Sequence, residues 1–342
     1  MSDNKTSHPT FSEVIAESFP DNNSGAKPDV KSVEEIIKDP EGQAPAVKEG
    51  HKAGFVNIVG NPNVGKSTLM NDMVGERVSI ITSKAQTTRH RIMGIVSGED
   101  FQIVYSDTPG ILKPSYKLQE SMMKFVTGAL TDADVILYVT DTVEQSERSA
   151  EIVDSIRRSG IPTVVVINKI DLSTPEALEA LVDKWQAEIP GAQVVPTSAK
   201  ENFNIEGLFR TILSLLPEGP AFYPKDTLTD KTLRFFASEI IREKILKFYD
   251  KEIPYCCEIE IESYKEEPTI DRISATIYVA RDSQKGILIG HKGEKLKRVG
   301  QTAREDMEQF LGKKVFLQLF VKVSDDWRNN ERQLRRFGYE QE

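Results

Sequence analysis

A short stretch of glycine and polar residues at positions 60–67 has the composition of a loop that cradles phosphate groups. It follows an apolar run at residues 55–59 and precedes a helix-compatible segment at 68–74. Backbone N–H groups and a helix N-terminus would therefore point at one spot. Lys66 is placed to reach the β- and γ-phosphates of a nucleoside triphosphate, and the Ser67 hydroxyl to ligate Mg²⁺. The residues predicted to surround the phosphates are Gly60, Asn61, Pro62, Asn63, Val64, Gly65, Lys66, Ser67 and Thr68.

Two further motifs follow strand-like runs downstream of this loop. The run at residues 101–106 ends in Asp107, Thr108, Pro109 and Gly110, and the run at 163–167 ends in Asn168, Lys169, Ile170 and Asp171. Either motif alone also occurs in ordinary surface turns. Together and in this order, they predict one ligand site at the carboxyl edge of an open α/β sheet. There an acidic residue would hold the magnesium shell, and a glycine N–H would sense the γ-phosphate.

The base preference follows from hydrogen-bond chemistry at Asp171. A carboxylate accepts from the N1–H and the exocyclic amino group of guanine, whereas adenine presents no matching pair of donors. A loop after the run at 193–195 would add backbone N–H groups toward the guanine oxygen, from Ser198, Ala199 and Lys200. The sequence therefore predicts GTP as the nucleotide.

With these motifs the chain resembles the small P-loop G domains of the translational-GTPase-like class. One stretch narrows the resemblance to the Era family: Gln86, Thr87, Thr88, Arg89 and His90. The resemblance implies that Thr87 and Thr88 lie in switch I, where a threonine hydroxyl joins Mg²⁺ when GTP is bound. Thr88 is the favoured ligand, although the sequence does not separate the two. The resemblance thus assigns Mg²⁺ to Ser67, Thr88 and Asp107, and catalysis to Lys66, Thr88, Asp107 and Gly110.

The residue after Gly110 is expected to make hydrolysis slow. Many G proteins carry a water-orienting glutamine there, but this chain has Ile111, and an aliphatic side chain cannot orient water. Similar G domains that lack the glutamine use a potassium ion near the phosphates, and Asn63 matches the asparagine that ligates it. We therefore expect K⁺, held by Asn63 and switch I carbonyls, as an activator. The alternative is a GTP-dependent scaffold with negligible hydrolysis.

The second half of the chain predicts an RNA-binding module. A proline-rich stretch at 217–224 breaks regular structure, and it is followed by an amphipathic helix at 233–249 and strands at 255–261, 272–279 and 315–323. Between the last two strands, a Gly-x-x-Gly turn precedes a helix with apolar Leu296, Val299, Ala303, Met307 and Phe310 on one face. This pattern matches a type II KH domain, whose glycines let a nucleic-acid backbone lie close. The residues predicted to contact RNA are Gly290, His291, Lys292, Gly293, Lys295, Lys297 and Arg298.

The resemblance to the Era family runs from about residue 52 to residue 339. It implies a GTPase that binds the 3′ end of small-subunit (16S) ribosomal RNA and acts in assembly of the small ribosomal subunit. Two positions depart from the family pattern. Asn202 stands where glycine is common, and asparagine tolerates left-handed backbone angles better than most residues. His291 varies the KH turn without removing either glycine.

We predict an α/β chain with two folded domains. A P-loop G domain with a mostly parallel sheet occupies 52–217, a linker 218–230, an α+β type II KH domain 231–325 and a C-terminal tail 326–342. The extension at 1–50 carries ten acidic and five basic residues, a net charge of −5, and five prolines. It is predicted to be disordered, apart from a short helix at 32–39, and it is too acidic and too poor in arginine for a transit peptide.

The net charge and the cysteine content of the whole chain limit the partners and the cellular compartment that can be expected. A net charge of −9 and a pI near 5.3 argue against indiscriminate coating of nucleic acid, so affinity for RNA must be local. Two adjacent cysteines, Cys256 and Cys257, suit the cytosol rather than a disulfide framework. We expect a cytoplasmic monomer. The alternative is peripheral contact with the cytoplasmic face of the membrane, for which a basic helix face at Arg242, Lys244 and Lys247 is the only sequence signal.

Overall fold

The computed structural model describes residues 50–143 and 150–339. The extension predicted at 1–50, apart from its last residue, lies outside these ranges, as does the short helix predicted at 32–39. Within these ranges the first regular element is the strand β1 (Lys52–Gly60), which forms because its apolar residues are buried on both faces of a sheet.

The first domain is built on a six-stranded sheet with strand order β2-β3-β1-β4-β5-β6. All neighbouring strands run parallel except β2, which pairs antiparallel to β3. The parallel strands place their carboxyl ends, and the loops that follow them, along one edge. The strands are β1 Lys52–Gly60, β2 Ile92–Ser97, β3 Phe101–Asp107, β4 Val135–Asp141, β5 Thr163–Asn168 and β6 Gln193–Pro196.

Helices cover both faces of this sheet and bury two separate apolar cores. One core lies beneath α1 and α5, the other beneath α2, α3 and α4. The predicted G-domain sheet and its mostly parallel order are confirmed. The helices are α1 Lys66–Val74, α2 Lys117–Thr131, α3 Ala150–Ser159, α4 Pro175–Glu188 and α5 Ile205–Leu215.

The segment predicted as a linker at 218–230 lies along the edge of the first domain. The side chain of Gln102 accepts from the N–H groups of Phe222 and Tyr223 at 2.6 and 2.9 Å. Further along, the Ile95 N–H donates to the Leu228 carbonyl at 2.8 Å. Such backbone contacts hold the path of the chain from one domain to the next.

The second domain has a three-stranded sheet, β7-β8-β9, with β7 antiparallel and β9 parallel to β8. Its helices pack against one face of that sheet around a single apolar core, in agreement with the predicted α+β KH domain. The strands are β7 Glu258–Glu266, β8 Ile270–Val279 and β9 Lys314–Val323, and the helices are α6 Leu233–Phe248, α7 Ile253–Cys256, α8 Asp282–Ile289 and α9 Glu294–Leu311.

Two local predictions in this domain are wrong. The strand predicted from residue 255 begins at Glu258, because Pro254 in the first turn favours the short helix α7. Phe310, predicted on the buried face of α9, is 45% exposed. Its ring lies 5.2 Å from that of Phe236 on α6, so it covers the end of the core rather than filling it.

The C-terminal segment, predicted as a tail at 326–342, packs between the two domains over its described residues. After β9 the chain forms a short turn at Trp327–Asn329 and the helix α10 Glu331–Arg336. Trp327, Leu334 and Tyr339 are buried against Leu118, Met122 and Phe125 of α2. This cluster therefore joins the end of the chain to the first domain.

Candidate functional site

The predicted phosphate loop connects β1 to α1 in a conformation that only glycine adopts easily. Gly65 precedes α1 with φ +100°, and a Cβ there would lie 2.2 Å from Nδ2 of Asn168. The Lys66 Nζ donates to the carbonyls of Gly60 and Asn61 at 3.0 and 2.9 Å. The lysine is thus held over the loop whose N–H groups would meet the phosphates.

Four oxygen-bearing side chains converge beside the start of α1. The Ser67 Oγ donates to Oδ2 of Asp107 at 2.6 Å and lies 2.9 Å from Oγ1 of Thr88. The same carboxylate oxygen accepts from Thr88 at 3.2 Å and from Ser79 at 2.9 Å. No sequence pattern indicated Ser79, whose contact with Asp107 depends on how the loop after α1 folds back.

This cluster suits a magnesium shell. Asp107 is fully buried, and burial raises the pKa of its carboxyl group above the ordinary value. Within the described residues, its Oδ1 has no hydrogen-bond partner. A buried, unsatisfied carboxylate oxygen is destabilising, and a hydrated divalent cation held by oxygen ligands would satisfy it. The residues present therefore fit Mg²⁺.

The structure separates the two threonines that the sequence left open. The Thr88 hydroxyl points to Ser67 and Asp107, as described above. The Thr87 hydroxyl instead lies 2.6 Å from Oγ1 of Thr82 and donates to the Lys84 carbonyl at 2.6 Å. Of the two threonines, only Thr88 therefore has its hydroxyl at the predicted metal site. Gln86 lines the cavity beside this site and has a left-handed φ of +57°.

The Asp-x-x-Gly motif brings a second glycine against the phosphate loop. A Cβ on Gly110 would lie 2.7 Å from the Cα of Pro62, so this close approach requires glycine. The Thr108 hydroxyl donates to the Ile58 carbonyl at 2.7 Å, which fixes the strand end, and Pro109 is buried beside it. Ile111 is 4% exposed and packs into the core beneath α2. Its side chain is therefore enclosed by apolar neighbours.

The predicted base site joins three loops. The Asn168 Nδ2 donates to the Val64 carbonyl at 2.8 Å, and its Oδ1 accepts from the Ala199 N–H at 3.1 Å. The Asp171 Oδ1 accepts from the Ser198 hydroxyl at 2.6 Å. Asn168 thus ties the phosphate loop to the loop at 198–200, and Ser198 orients the carboxylate predicted to read guanine.

Two lysines complete the wall of this site. The Lys169 Nζ donates to the Asn63 carbonyl at 2.6 Å and to Oδ2 of Asp141 at 2.7 Å. Lys200 and Asn63 are exposed. The cavity has a volume of about 610 Å³, which is within the range of small-ligand sites. Its walls include Pro62, Asn63, Gly65, Lys66, Ser67, Thr68, Gln86, Thr87, Thr88, Gly110, Lys169 and Lys200, together with the loop at 80–83.

The Gly-x-x-Gly turn lies between α8 and α9 in the second domain. Gly290, Lys292 and Gly293 have φ values of +73°, +48° and +80°, which produce the tight turn predicted from the two glycines. The basic side chains around it are exposed, and the Arg298 guanidinium lies 4.1 Å from the ring centroid of Phe248. The exposed positively charged or titratable residues are His291, Lys292, Lys295, Lys297 and Arg298.

The three cations noted on α6 do not share one exposed face, because Lys247 is exposed whereas Arg242 and Lys244 are buried. Arg242 and Lys244 are 2% and 4% exposed. Arg242 pairs with Glu239, and Lys244 pairs with Glu243 and Asp306. Arg242 also donates to the carbonyls of Gln86 and Thr87 in the first domain, whereas both partners of Lys244 lie in the second. Among the described residues, no helix is both long and apolar enough to span a bilayer.

Comparison with known proteins agrees with this arrangement. A family model described as "50S ribosome-binding GTPase" matches residues 55–169, and a KH domain model matches residues 252–328. The chain is 44% identical over 291 residues to the GTPase Era of Staphylococcus haemolyticus, covering 84% of this chain and 97% of that protein. It is 45% identical over 293 residues to the GTPase Era of Alkaliphilus metalliredigens, covering 85% of this chain and 99% of that protein.

The structural comparison extends over both domains. A crystal structure of Era in complex with MgGDPNP and nucleotides 1506–1542 of 16S ribosomal RNA superposes with a TM-score of 0.82 at 40% identity. The match covers 85% of this chain and 100% of that one. Because sequence and structure both match over nearly the whole length of these relatives, the chain belongs to the Era family of GTPases.

Proposed function

We propose that this GTPase binds the 3′ end of small-subunit (16S) ribosomal RNA through its Gly-x-x-Gly surface and acts in assembly of the small ribosomal subunit. The observation that carries the proposal is the presence of both sites in one chain, a guanine-nucleotide pocket and an exposed basic turn. The related Era structure holds MgGDPNP and 16S RNA nucleotides together. Its full length corresponds to this chain, so the same pairing of ligands is expected here.

The charge distribution supports local rather than general binding of RNA. The chain is acidic overall, with a net charge of −9, yet five exposed residues around the turn are basic or titratable: His291, Lys292, Lys295, Lys297 and Arg298. Phosphates would be drawn to this edge and repelled elsewhere. The positive φ angles of Gly290 and Gly293 let a ribose-phosphate backbone come close to the protein backbone.

The RNA proposal is tested by replacing the two glycines. The Gly290→Asp, Gly293→Asp double variant should lose at least about tenfold in affinity for an RNA of the 16S 3′ end, because two negative charges would face phosphate. Fluorescence anisotropy at fixed salt measures this. The matched control is Gly128→Asp with Gly219→Asp, since a side chain at either position meets nothing within 4 Å. Equal affinity in the two double variants would refute the proposal.

We assign the nucleotide-site residues from their geometry. Lys66 and the loop N–H groups would hold the β- and γ-phosphates, Gly110 would sense the γ-phosphate, and Asn168 and Asp171 would hold guanine. Ser67, Thr88 and Asp107 would hold Mg²⁺. When bound, the ion neutralises charge that develops on the phosphate oxygens. Lys66→Ala should abolish GTP turnover, and in the absence of nucleotide it should bind RNA through the KH turn as tightly as the unsubstituted protein. A GTPase assay and an RNA titration without nucleotide check these two outcomes.

We propose further that intrinsic hydrolysis is slow and that K⁺ activates it. The burial of Ile111 supports slow hydrolysis because it leaves no side chain there to orient water. Asn63 is exposed at the cavity wall, with φ +65°. The Gln86 and Thr87 carbonyls accept from Arg242, so other oxygens of switch I would have to complete the ion's shell. Single-turnover rates should be higher in KCl than in NaCl, and Asn63→Ala should abolish the difference. Equal rates in the two salts for the unsubstituted protein would exclude potassium activation.

We also propose that the protein acts in the cytoplasm. A protein that binds 16S ribosomal RNA would act in the cytoplasm, where ribosomal subunits assemble. The two cysteines are buried free thiols, which is consistent with a reducing compartment. Peripheral membrane contact through Arg242 or Lys244 has no structural support, because both side chains are buried, whereas Lys247 is exposed. Cofractionation with 30S precursors during subunit assembly, compared with membrane pellets, tests the location.

A further inference from the structure

The switch I segment, here residues 84–90, contacts the KH domain on both sides of Thr88. On one side, Arg242 of α6 donates to the carbonyls of Gln86 and Thr87. On the other side, Arg89 enters the KH domain. Thr88 itself faces Ser67 and Asp107. The residue at the predicted metal site is therefore flanked by two attachments to the neighbouring domain.

Arg89 forms the deeper attachment. Its side chain is fully buried, with Nη1 donating to the Cys257 carbonyl at 2.8 Å and to Oε2 of Glu258 at 3.1 Å. Its Nη2 donates to the Pro254 carbonyl at 3.0 Å. The Tyr339 hydroxyl donates to the same Glu258 oxygen at 2.6 Å. A charge buried this completely is stable only while its partners stay in place, so Arg89 cannot move independently of the KH domain.

The geometry transmits this constraint to Thr88. Residues 87–89 form neither helix nor strand, and the hydrogen bonds of the two adjacent side chains lead to different domains. Thr88 accordingly points to the nucleotide site while Arg89 points into the KH domain. Fixing the guanidinium fixes the backbone one residue away. If the KH domain moved relative to the G domain, the Thr88 hydroxyl would leave Ser67 and Asp107.

We propose that Arg89 is a positioning residue for Mg·GTP, through which the KH domain holds Thr88 at the metal site and contributes to the preference for GTP over GDP. The inference rests on the proposed function only in assigning Thr88 to magnesium. It identifies the KH domain as part of the structure that organises switch I, in addition to its binding of RNA. The expected signature is a loss of affinity that requires both the γ-phosphate and Mg²⁺.

The test compares GDPNP and GDP affinities of the full chain and an Arg89→Gln variant, by fluorescence titration in excess Mg²⁺ and in EDTA. In Mg²⁺, the variant should bind GDPNP about tenfold more weakly and GDP within about twofold of the unsubstituted protein. In EDTA, the two proteins should bind GDPNP equally. A residue that served only to stabilise the fold would not produce this dependence on Mg²⁺.

A matched control uses a second arginine at the same domain interface. Arg77 pairs with Glu243 of α6, but its side chain is 47% exposed and it precedes switch I. Arg77→Gln should keep the unsubstituted ratio of GDPNP to GDP affinity. Tyr339→Phe removes only the hydroxyl that supports Glu258, so it should show a smaller loss of the same kind. Because Tyr339→Phe removes only one oxygen atom, it replaces Arg89→Gln in this test if circular dichroism shows that Arg89→Gln does not fold.

Three results would overturn the inference. They are an unchanged GDPNP affinity in Arg89→Gln, an equal loss for GDPNP and GDP, and a loss that persists unchanged in EDTA. RNA titration of the unsubstituted protein keeps this question separate from the proposed function. If the protein does not bind the 16S 3′ end but Arg89→Gln shows the effect specific to Mg·GDPNP, the RNA proposal is refuted and the Arg89 inference stands. Normal RNA binding with no Arg89 effect would do the reverse.

Discussion

His90 makes the interface between the domains sensitive to acid. Its ring stacks on Tyr339 at a centroid distance of 4.4 Å and an angle of 17°. The rings of Phe235 on α6 and Phe125 on α2 lie 5.8 and 6.2 Å away. Both domains and the C-terminal segment therefore contribute to this aromatic cluster, and protonation of His90 would place a positive charge inside it.

The pKa of His90 is lowered from 6.5 to about 4, chiefly because burial penalises the charged imidazolium. Glu239 opposes the shift, whereas Arg242, Lys231 and Arg89 add to it. Because the folded-state pKa is depressed, the unfolded chain binds more protons between pH 6.5 and pH 4. The stabilising contribution is present above pH 6.5 and is lost as the pH falls toward 4. Between pH 7 and pH 5 the loss is roughly 2 kcal/mol.

Replacing His90 by phenylalanine keeps an aromatic ring at the interface but removes the titration. The free energy of unfolding of both proteins is measured by urea titration at pH 7 and pH 5. The unsubstituted protein should lose roughly 2 kcal/mol more than His90→Phe over this interval, since other titrating groups are common to both. His291→Phe, a change at an exposed position, should retain the loss of the unsubstituted protein. Identical losses for unsubstituted and His90→Phe proteins would refute this account of the interface.

Three further predictions concern the nucleotide site. Asp171→Asn should lower GTP affinity by about 10- to 100-fold, because hydrogen bonds to a charged acceptor contribute about 1.5–3 kcal/mol. Xanthosine triphosphate has an oxygen in place of the amino group of guanine, so in competition assays it should bind the variant better than GTP does. Gly65→Ala should abolish nucleotide binding, because its Cβ would lie 2.2 Å from Asn168 Nδ2; unchanged circular dichroism would show that the fold survives. Since burial raises the pKa of Asp107 and Mg²⁺ requires the carboxylate, Mg²⁺ affinity should rise with pH, as titration with GDPNP between pH 5 and pH 8 would detect.

Much of the fold was predictable because its signals are local. Strands β1, β3 and β5 are apolar runs that are almost entirely buried, and each leads directly into a polar motif. The tight turn at Gly290 and Gly293 was likewise predictable from residue type. Asn202 has φ +51°, which confirms the expectation that asparagine would keep the left-handed turn. These features depend on neighbouring residues, which the sequence displays directly.

Other features depend on contacts between distant parts of the chain. Arg89 pairs with Glu258, which lies 169 positions later in the chain, and no local sequence pattern indicates that pairing. Thr87 and Thr88 have the same chemistry, and only the path of the backbone decides which hydroxyl faces Asp107. Trp327 becomes buried because α2 of the other domain covers it. For the same reason, the packing of the C-terminal segment could not be predicted.

The contact between switch I and the KH domain is expected to couple the nucleotide state to RNA binding. The most direct measurement is the affinity of the full chain for a 16S 3′-end RNA in the GDPNP-bound and GDP-bound forms at one salt concentration. We predict tighter binding in the GDPNP form, and a gain in GDPNP affinity over GDP by the same factor when RNA is present. Equal RNA affinity in the two forms would contradict the coupling.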